Sequence, residues 1–516
     1  HYYFDGAKPT YKKLFKQFDR PKKKIYVLDP LDDLKWLNYK ERKKLSFAID
    51  KSHFSPAGHK LLSEFLKKEI NKKKILKKDV NFKTLSSIKK NHNYILGISA
   101  FYHDSSASII KDGKIIAAAQ EERFTRIKND KSFPNNAINF CLEKAKINPD
   151  QLSAVVYYDN AYVTFERILW SFKETSNNID VWQKYMPAWI KYKLNIPQLI
   201  RKNLKYSGKI YHNLHHRSHL ASAFFPSPFK KSAILTVDGV GEWATASFGV
   251  GDGNKITMIE QMNFPNSLGL LYSAFTNFIG FEVNEGEYKM MGLAPYGKPI
   301  YADTILNKLI HINEDGSIKV DQTYFDYVSG RSMTNQKFAD LFGGKPLKPG
   351  SKITQRERNI AASIQLITEK VIFQMAKYVK KVTKLDYLCL SGGVALNCVI
   401  NGNLKNSNLF KDIWIQPASG DSGSSLGCAY DLYYNYFGNK RDLRLDGYPD
   451  QLISSFGPSW TNNEVKAFLE TGSIKYDYFK KKEDRNSVIT KLLTEKKVIG
   501  YFSGRAEFGP RALGSR

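Results

Sequence analysis

Long apolar runs are missing from the sequence. None reaches the ~18 residues that a membrane-spanning helix needs, and the stretch around Leu270 to Phe281 is broken by Ser, Thr and Asn. No membrane partner is therefore expected. Cysteine is scarce. Cys141, Cys389, Cys398 and Cys428 are the only four, and no two have Cys-x-x-Cys spacing. That argues against a disulfide framework or a zinc finger and suits a reducing, cytoplasmic setting. No phosphate loop of the Gly-x-x-x-x-Gly-Lys-Ser type occurs, which excludes a P-loop nucleotide site. No secretory leader is visible, although the chain starts at His1 rather than Met, so further residues are expected upstream. Acidic residues are few beside basic ones, 50 against 79, a net charge of +29. The excess is concentrated at the front, where residues 1–93 carry 25 Lys and Arg against 10 Asp and Glu. Such a segment is either a nucleic-acid or membrane-surface patch or a solvated Lys-rich face. The solvated face is preferred, and no nucleic-acid partner is expected.

What remains is the composition of a globular protein, 42% hydrophobic and 25% charged, long enough at 516 residues for three or four domains. Its organising stretch runs from His212 to Ser247. His215 and His219 stand four apart before an Ala-rich run that reads as helix, so both imidazoles share one face and can reach one metal ion. His216 is rotated by about 100° and is expected to point away. Next, Ala233 to Val237 reads as a buried strand that ends in Asp238-Gly239-Val240-Gly241-Glu242. Gly turns at strand ends bring backbone N–H groups toward phosphate, and Asp238 is placed to bind a cation or order a water. Each feature alone has a plainer reading, a chance His pair and an ordinary turn.

A second copy of this strand-turn-strand unit strengthens the functional reading. Ile95 to Ser99 leads into His103-Asp104-Ser105-Ser106, then Ala107 to Ile110, the turn Asp112-Gly113, and Lys114 to Ala119. The later copy runs Ile234 to Val237, Asp238 to Glu242, Ala244 to Val250, Asp252-Gly253, and Lys255 to Ile259. The duplication predicts two related α/β lobes, with Asp104 and Asp238 at corresponding strand ends facing one cleft. Downstream, strand Leu388 to Leu390 enters Ser391-Gly392-Gly393-Val394-Ala395-Leu396-Asn397. Strand Ile413 to Gln416 precedes Gly420-Asp421-Ser422-Gly423. Both put backbone donors at a helix start, which suits anions, and Asp421 adds a carboxylate. His215, His219 and Asp421, with Asp238, make a plausible catalytic metal set with an open position. Imidazole plus carboxylate favours Fe(II), Zn(II) or Mn(II) over Mg(II).

Other segments read more simply. Asn135 to Ala145 and Arg356 to Val382 are amphipathic helices, and Ala154 to Tyr158 is a buried strand. Residues 160–205 are helical and aromatic-rich, serving either helix packing or acceptor binding. Lys496 to Phe502 reads as strand. Arg505 and Arg511 carry guanidinium forks suited to phosphate and carboxylate.

The motifs HHRSHLASAF, TVDGVGEW, GEYKMMGLAPYG, LSGGVALNCVING and PASGDSGSSLG together resemble the O-carbamoyltransferases of nodulation-factor and antibiotic biosynthesis. The resemblance covers roughly residues 94–516. It implies an α/β fold with a duplicated two-lobed domain of the actin/Hsp70/sugar-kinase (ribonuclease H-like) class, similar to the tRNA threonylcarbamoyl-transfer proteins. GRAEFGPRALGSR resembles the start of the family's second, α+β YrdC-like domain. The implied reaction takes carbamoyl phosphate and ATP through carbamoyl-adenylate to a hydroxyl of a small-molecule or glycan acceptor. The implied metal is iron. Catalytic roles are expected of Asp238, His219 and Lys289, the last bordering the nucleotide site. Nucleotide contacts are expected of Asp104, Gly239, Gly241, Gly292, Ser391, Gly392, Gly393, Asn397, Gly420, Arg505 and Arg511. The acceptor's base would be an Asp or His of the metal cluster, and a homodimer is a further expectation. An ATP-hydrolysing chaperone or a sugar kinase of the same fold class is the alternative; it accounts for the duplicated Asp turns but not for the His pair.

At the front, Asp50-x-x-His53 followed by Pro56-Ala57-Gly58-His59 resembles the last motif of SGNH/GDSL hydrolases, without the family's nucleophilic Ser upstream. It is either the tail of such a domain or a chance match. The expected boundaries are 1–70 for this tail, 71–93 for a Lys-rich linker, 94–440 for the two-lobed domain, and 441–516 for a linker and the start of the YrdC-like domain.

Overall fold

The computed structural model describes residues 93–175, 179–443, 451 and 453–515. The hydrolase-like tail and nearly all of the linker expected at the front lie outside the described residues.

The first sheet contains β1 (Tyr94–Ser99), β2 (Ser106–Lys111), β3 (Lys114–Gln120), β4 (Ala154–Tyr157) and β5 (Ile210–His212), in the order β3-β2-β1-β4-β5. β1 pairs antiparallel with β2 and parallel with β4. Ile95, Leu96 and Ile98 of β1 are fully buried, as a near-continuous apolar strand covered on both faces requires. The second sheet opens with β6 (Lys231–Val237), β7 (Ala244–Asp252) and β8 (Lys255–Asn263). A small hairpin, β9 (Ile310–Ile312) with β10 (Ile318–Val320), intervenes before β11 (Tyr387–Ser391) and β12 (Asp412–Ile415). The second sheet's order is β12-β11-β6-β7-β8, with β6 antiparallel to β7 and parallel to β11. Read from the other edge, it repeats the first sheet strand for strand and direction for direction. The duplicated sequence unit thus becomes the antiparallel half of each sheet.

Each sheet carries its own apolar core. Between them lie two short helices, His215–Phe224 and Asp421–Tyr430. The first packs on β6 and β11, the second on β1 and β2. Every residue of the second helix is buried. Its Ser- and Gly-rich sequence permits this. A Cβ on Gly427 would lie 1.8 Å from the Ser218 carbonyl oxygen, and one on Gly97 of β1 would lie 1.8 Å from that of Ser425. Small residues let the backbones approach where larger ones would clash. Arg441 fastens the far end of the first helix. Its guanidinium donates to the carbonyls of Phe224, Phe225, Ser227 and Phe229 and lies 4.5 Å over the Phe224 ring.

The amphipathic helices form where the 3.6-residue period predicts them, Asn135–Ala145 and Gln355–Thr383. The second opens with a capping box of Thr354 and Glu357 and packs on the second core. Between β4 and β5 the aromatic-rich stretch folds as helices Ala161–Glu174, Ile179–Lys191 and Ile196–Leu204.

Near the end, the described residues depart from expectation. Residues 496–502 form no strand, and Val498 is fully exposed. A strand needs a partner for its backbone groups, and none lies beside this run among the described residues. Helices Asn462–Thr471 and Lys482–Thr494 bury no residue. The following Ala506, Glu507 and Phe508 fold back and are buried, with Gly457 and Ala506 bonded to each other's surroundings through Gly457 N–H to Ala506 O and Ala506 N–H to Pro458 O. No described helix is long and apolar enough to cross a membrane. All four cysteines are free, with only Cys398 exposed.

Candidate metal centre

Four side chains from three elements meet between the sheets. His215 and His219 come from the first turns of helix His215–Phe224, Asp238 from the end of β6, and Asp421 from the first turn of helix Asp421–Tyr430. One ligand atom from each lies within 4.8 Å of all the others, and all four residues are buried. His215 Nε2 is 2.9 Å and His219 Nε2 3.2 Å from Asp238 Oδ2. The two Nε2 atoms are 3.1 Å apart, and Asp421 Oδ1 is 3.5 Å from each.

The surroundings orient these groups. His219 Nδ1 faces the hydroxyls of Ser424 at 3.3 Å and Ser391 at 3.5 Å. An Nδ1–H donated to these hydroxyls leaves the Nε2 lone pair facing the cluster, the tautomer a metal ligand requires. Asp238 Oδ1 accepts from the Gly393 N–H at 2.9 Å. The helix of the His pair lacks a capping side chain of its own. Glu242, from the turn after Asp238, fills that role by accepting from His215 N at 3.0 Å and Asn160 N at 2.8 Å. A Cβ on Gly241 would press to 2.9 Å from the His215 ring, so this turn tolerates little else. His216 faces the other way, with Nδ1 2.9 Å from Ser247 Oγ.

The electrostatics follow from burial and this geometry. Burial opposes charge on His215, yet Asp421 and Asp238 outweigh it and push the imidazole up to about 10. His219 is raised, again against burial, by Asp238 and Asp421. Asp238 is held well below the usual carboxylate range by the two imidazoles, which overcome its burial. Asp421 is lowered despite burial by His103, His215 and His219. His216 moves oppositely. Burial, reinforced by its two neighbours, depresses it to about 3. Asp421 Oδ2 is buried without a hydrogen-bond partner. Two imidazole nitrogens 3.1 Å apart, two carboxylates and an orphaned carboxylate oxygen form a donor set that fits a divalent first-row ion.

A cleft of about 2180 Å³ opens above this cluster. Its lining includes His215, Asp238, Asp104, Gly239, Gly241, Gly393, Asn397, Gly420 and Arg511. Asp104 and Asp238 thus face one cleft from corresponding strand ends. Other expected residues are placed differently. Ser391 sits behind His219 rather than on the cleft. Asn397 also has a local task, capping helix Cys398–Asn406 through Ile400 N. The Lys289 side chain is 43% exposed, 4.0 Å from Glu285 and outside the lining, as is Gly292. Arg505 donates to the carbonyls of Gly457, Phe456 and Ile116, so its fork is occupied by backbone.

Sequence reasoning did not single out His103. Its Nε2 lies 3.7 Å from Asp421 Oδ2 and its Nδ1 3.4 Å from Asp104 Oδ2. Burial notwithstanding, Asp421 and Asp104 push it up to about 9. The available signal was its position in the first copy's turn, which corresponds to the turn holding Asp238. Glu242 and Arg167 were missed as well; Arg167 Nε donates to the Glu242 carbonyl at 2.5 Å.

Comparison with known proteins bears on the same residues. Residues 94–430 match the family described as the carbamoyltransferase N-terminus. An uncharacterized protein of Synechocystis sp. is 48% identical over 435 residues, 82% of this chain and 70% of that protein. The nodulation protein NolNO of Sinorhizobium fredii is 30% identical over 429 residues, 81% of this chain and 58% of that protein. Among solved structures, component A of the Acidaminococcus fermentans (R)-2-hydroxyglutaryl-CoA dehydratase aligns with a TM-score of 0.38 at 14% identity, over 67% of this chain and 99% of that one.

Proposed function

We propose, from the premise that the chain belongs to the carbamoyltransferase family, that its two-sheet body is the transfer half of an O-carbamoyltransferase. The observation that carries this reading is the buried His215, His219, Asp238 and Asp421 cluster at the floor of the cleft. The chain spans 58% of the nodulation relative, so the whole enzyme's reaction is an inference from this part. The donor in this reading is carbamoyl-adenylate, made from carbamoyl phosphate and ATP, and the acceptor is a hydroxyl.

His215, His219, Asp238 and Asp421 would hold a divalent ion, iron(II) by family resemblance. When bound, that ion supplies Lewis-acid polarisation of the carbamoyl oxygen. The chain's own groups do the rest. Backbone N–H groups at Gly239 and Gly420 suit the phosphate of the donor, whereas those of Gly392 and Gly393 are already given to the Ser419 carbonyl and to Asp238 Oδ1. His103, oriented by Asp104 at Nδ1, takes the acceptor hydroxyl's proton at Nε2 in its neutral form. Because Asp421 and Asp104 push it up to about 9, transfer is expected to speed up as pH rises toward that value. The acceptor oxygen bonds to the carbamoyl carbon as the carbon–oxygen bond to phosphate breaks, and AMP leaves. The chaperone or kinase alternative leaves the His pair without a role.

The direct test incubates the full-length protein with ATP, carbamoyl phosphate and a panel of hydroxyl acceptors, followed by mass spectrometry. A product heavier by one carbamoyl group, lost with His219→Ala, is the expected result. Transfer of the ATP γ-phosphoryl group to the acceptor, with ADP released, would instead replace this reading with a kinase.

A further inference from the structure

The helices between β4 and β5 bring two cations to the cleft that the reaction above leaves unused. Arg167 and Lys193 both line it. Arg167 spends one donor on the Glu242 carbonyl, and its guanidinium lies 5.1 Å over the Phe264 ring. Lys193 Nζ lies 4.6 Å over the Trp189 ring and 5.6 Å over that of Tyr102. Among the described residues, neither cation has a carboxylate oxygen within 4.0 Å; Asp159, on the same wall, pairs with neither. Asp159 acts on both cations through space and Glu242 on Arg167, but with no direct ion pair both keep donors to offer an arriving anion. Beside them is an aromatic shelf. Tyr102 is 41% exposed, and its ring lies 4.6 Å from the ring of His103. Tyr192, 39% exposed, stacks on Phe101 at 6.0 Å. Rings and cations therefore lead continuously to the proposed base.

We propose that this shelf is the acceptor subsite and that the acceptor is a saccharide bearing a carboxylate or other oxyanion. The sugar ring stacks on Tyr102, the reacting hydroxyl meets His103, and the acidic group sits between Lys193 and Arg167. The proposal rests on the carbamoyl-transfer reading. A polycationic acceptor is repelled by both charges, and a neutral one leaves them without a direct ion-pair partner. The cleft exceeds the ~300–1,000 Å³ of ordinary small-molecule pockets, so more than one sugar ring fits. A donor phosphate is the other source of an oxyanion. The backbone donors that suit it, at Gly239 and Gly420, follow strands of the second sheet, whereas Lys193 and Arg167 come from the segment inserted into the first.

The test reads binding, not turnover. The intact protein is screened against an array of neutral, amino-substituted and acidic oligosaccharides, and the best binder and ATP are then titrated by calorimetry. Acidic sugars are expected to dominate. Lys193→Gln and Tyr102→Leu should each weaken the best binder about tenfold, the scale of one charge-assisted or stacking contact, and leave ATP affinity unchanged. Lys193→Arg should retain the preference, which separates a lost charge from a damaged fold. Dominance of neutral or amino sugars, or no saccharide binding, would overturn the proposal. So would Lys193→Gln weakening ATP and not the sugar, which assigns the cation to the donor. An acidic sugar that binds but never gains a carbamoyl group retires the transferase reading instead and leaves the subsite standing.

Discussion

Replacing Gly427 with alanine tests how the two ligand-bearing helices reach each other. The added Cβ would lie 1.8 Å from the Ser218 carbonyl oxygen and 2.9 Å from Ser222 Cβ. An ordinary carbon–oxygen contact is about 3.3 Å, so the helices must part by roughly 1.5 Å. Ser218 precedes His219, and Gly427 shares a helix with Asp421. The 3.5 Å between His219 Nε2 and Asp421 Oδ1 therefore opens toward about 5 Å. Metal sites tolerate displacements of only about 0.5 Å, so metal affinity should fall by at least about a hundredfold. The overpacking should also cost about 1–3 kcal/mol of stability. Gly402 is the control. It lies in helix Cys398–Asn406 with nothing within 4 Å of a Cβ, so Gly402→Ala should leave metal binding intact and stabilise by about 0.4–1 kcal/mol. Calorimetric metal titration and thermal melting of both variants give the answer. A Gly427→Ala protein that binds metal and melts like wild type would refute the close-approach argument.

Further outcomes follow from the same packing. Arg441→Met keeps the stem but strips the donors from four buried carbonyls at the end of the metal helix; denaturant unfolding should show a loss of about 3 kcal/mol. His216 supplies a pH signature. Its folded value of about 3 lies below the ordinary 6.5, so between those values the unfolded chain binds the extra proton. Its contribution is present above pH 6.5 and is lost as pH falls toward 3. His216→Gln should flatten stability against pH in that window by a few kcal/mol, and an unchanged slope would show that His216 is not buried neutral. Glu242→Gln weakens the cap on the metal helix and should cost about 1 kcal/mol in thermal melts while lowering metal affinity.

Local pattern carried much of the architecture. The helix Asn135–Ala145 has the bounds its periodicity predicts, and Gln355–Thr383 differs from expectation by one residue at each end. The duplicated strand-turn-strand unit foretold two sheets of one topology. His215, His219, Asp238 and Asp421 were readable as a group because each holds a position that short-range sequence defines, a helical i,i+4 pair or the first polar residue after a strand or Gly turn. What eluded the sequence depends on tertiary neighbours. Residues 496–502 have strand composition, but composition cannot supply a pairing partner. A guanidinium suits phosphate and backbone carbonyls alike, so only packing reveals that Arg505 serves carbonyls. Lys289 lies on helix Glu287–Leu293, where a lysine's direction cannot be read from spacing; it turns toward Glu285. His103 is a lone histidine in a turn, and only the meeting of the sheets brings it to Asp421.

The central claim is that four side chains from three elements hold one ion. Its most direct measurement is the metal content of purified wild type beside His215→Ala, His219→Ala and His216→Ala, by inductively coupled plasma mass spectrometry after reconstitution with Fe(II), Zn(II) or Mn(II). The account predicts about one equivalent per chain in wild type and in His216→Ala, and loss in the other two. A wild-type protein that retains no ion, or a His216→Ala protein that loses it while His215→Ala keeps it, would contradict the account.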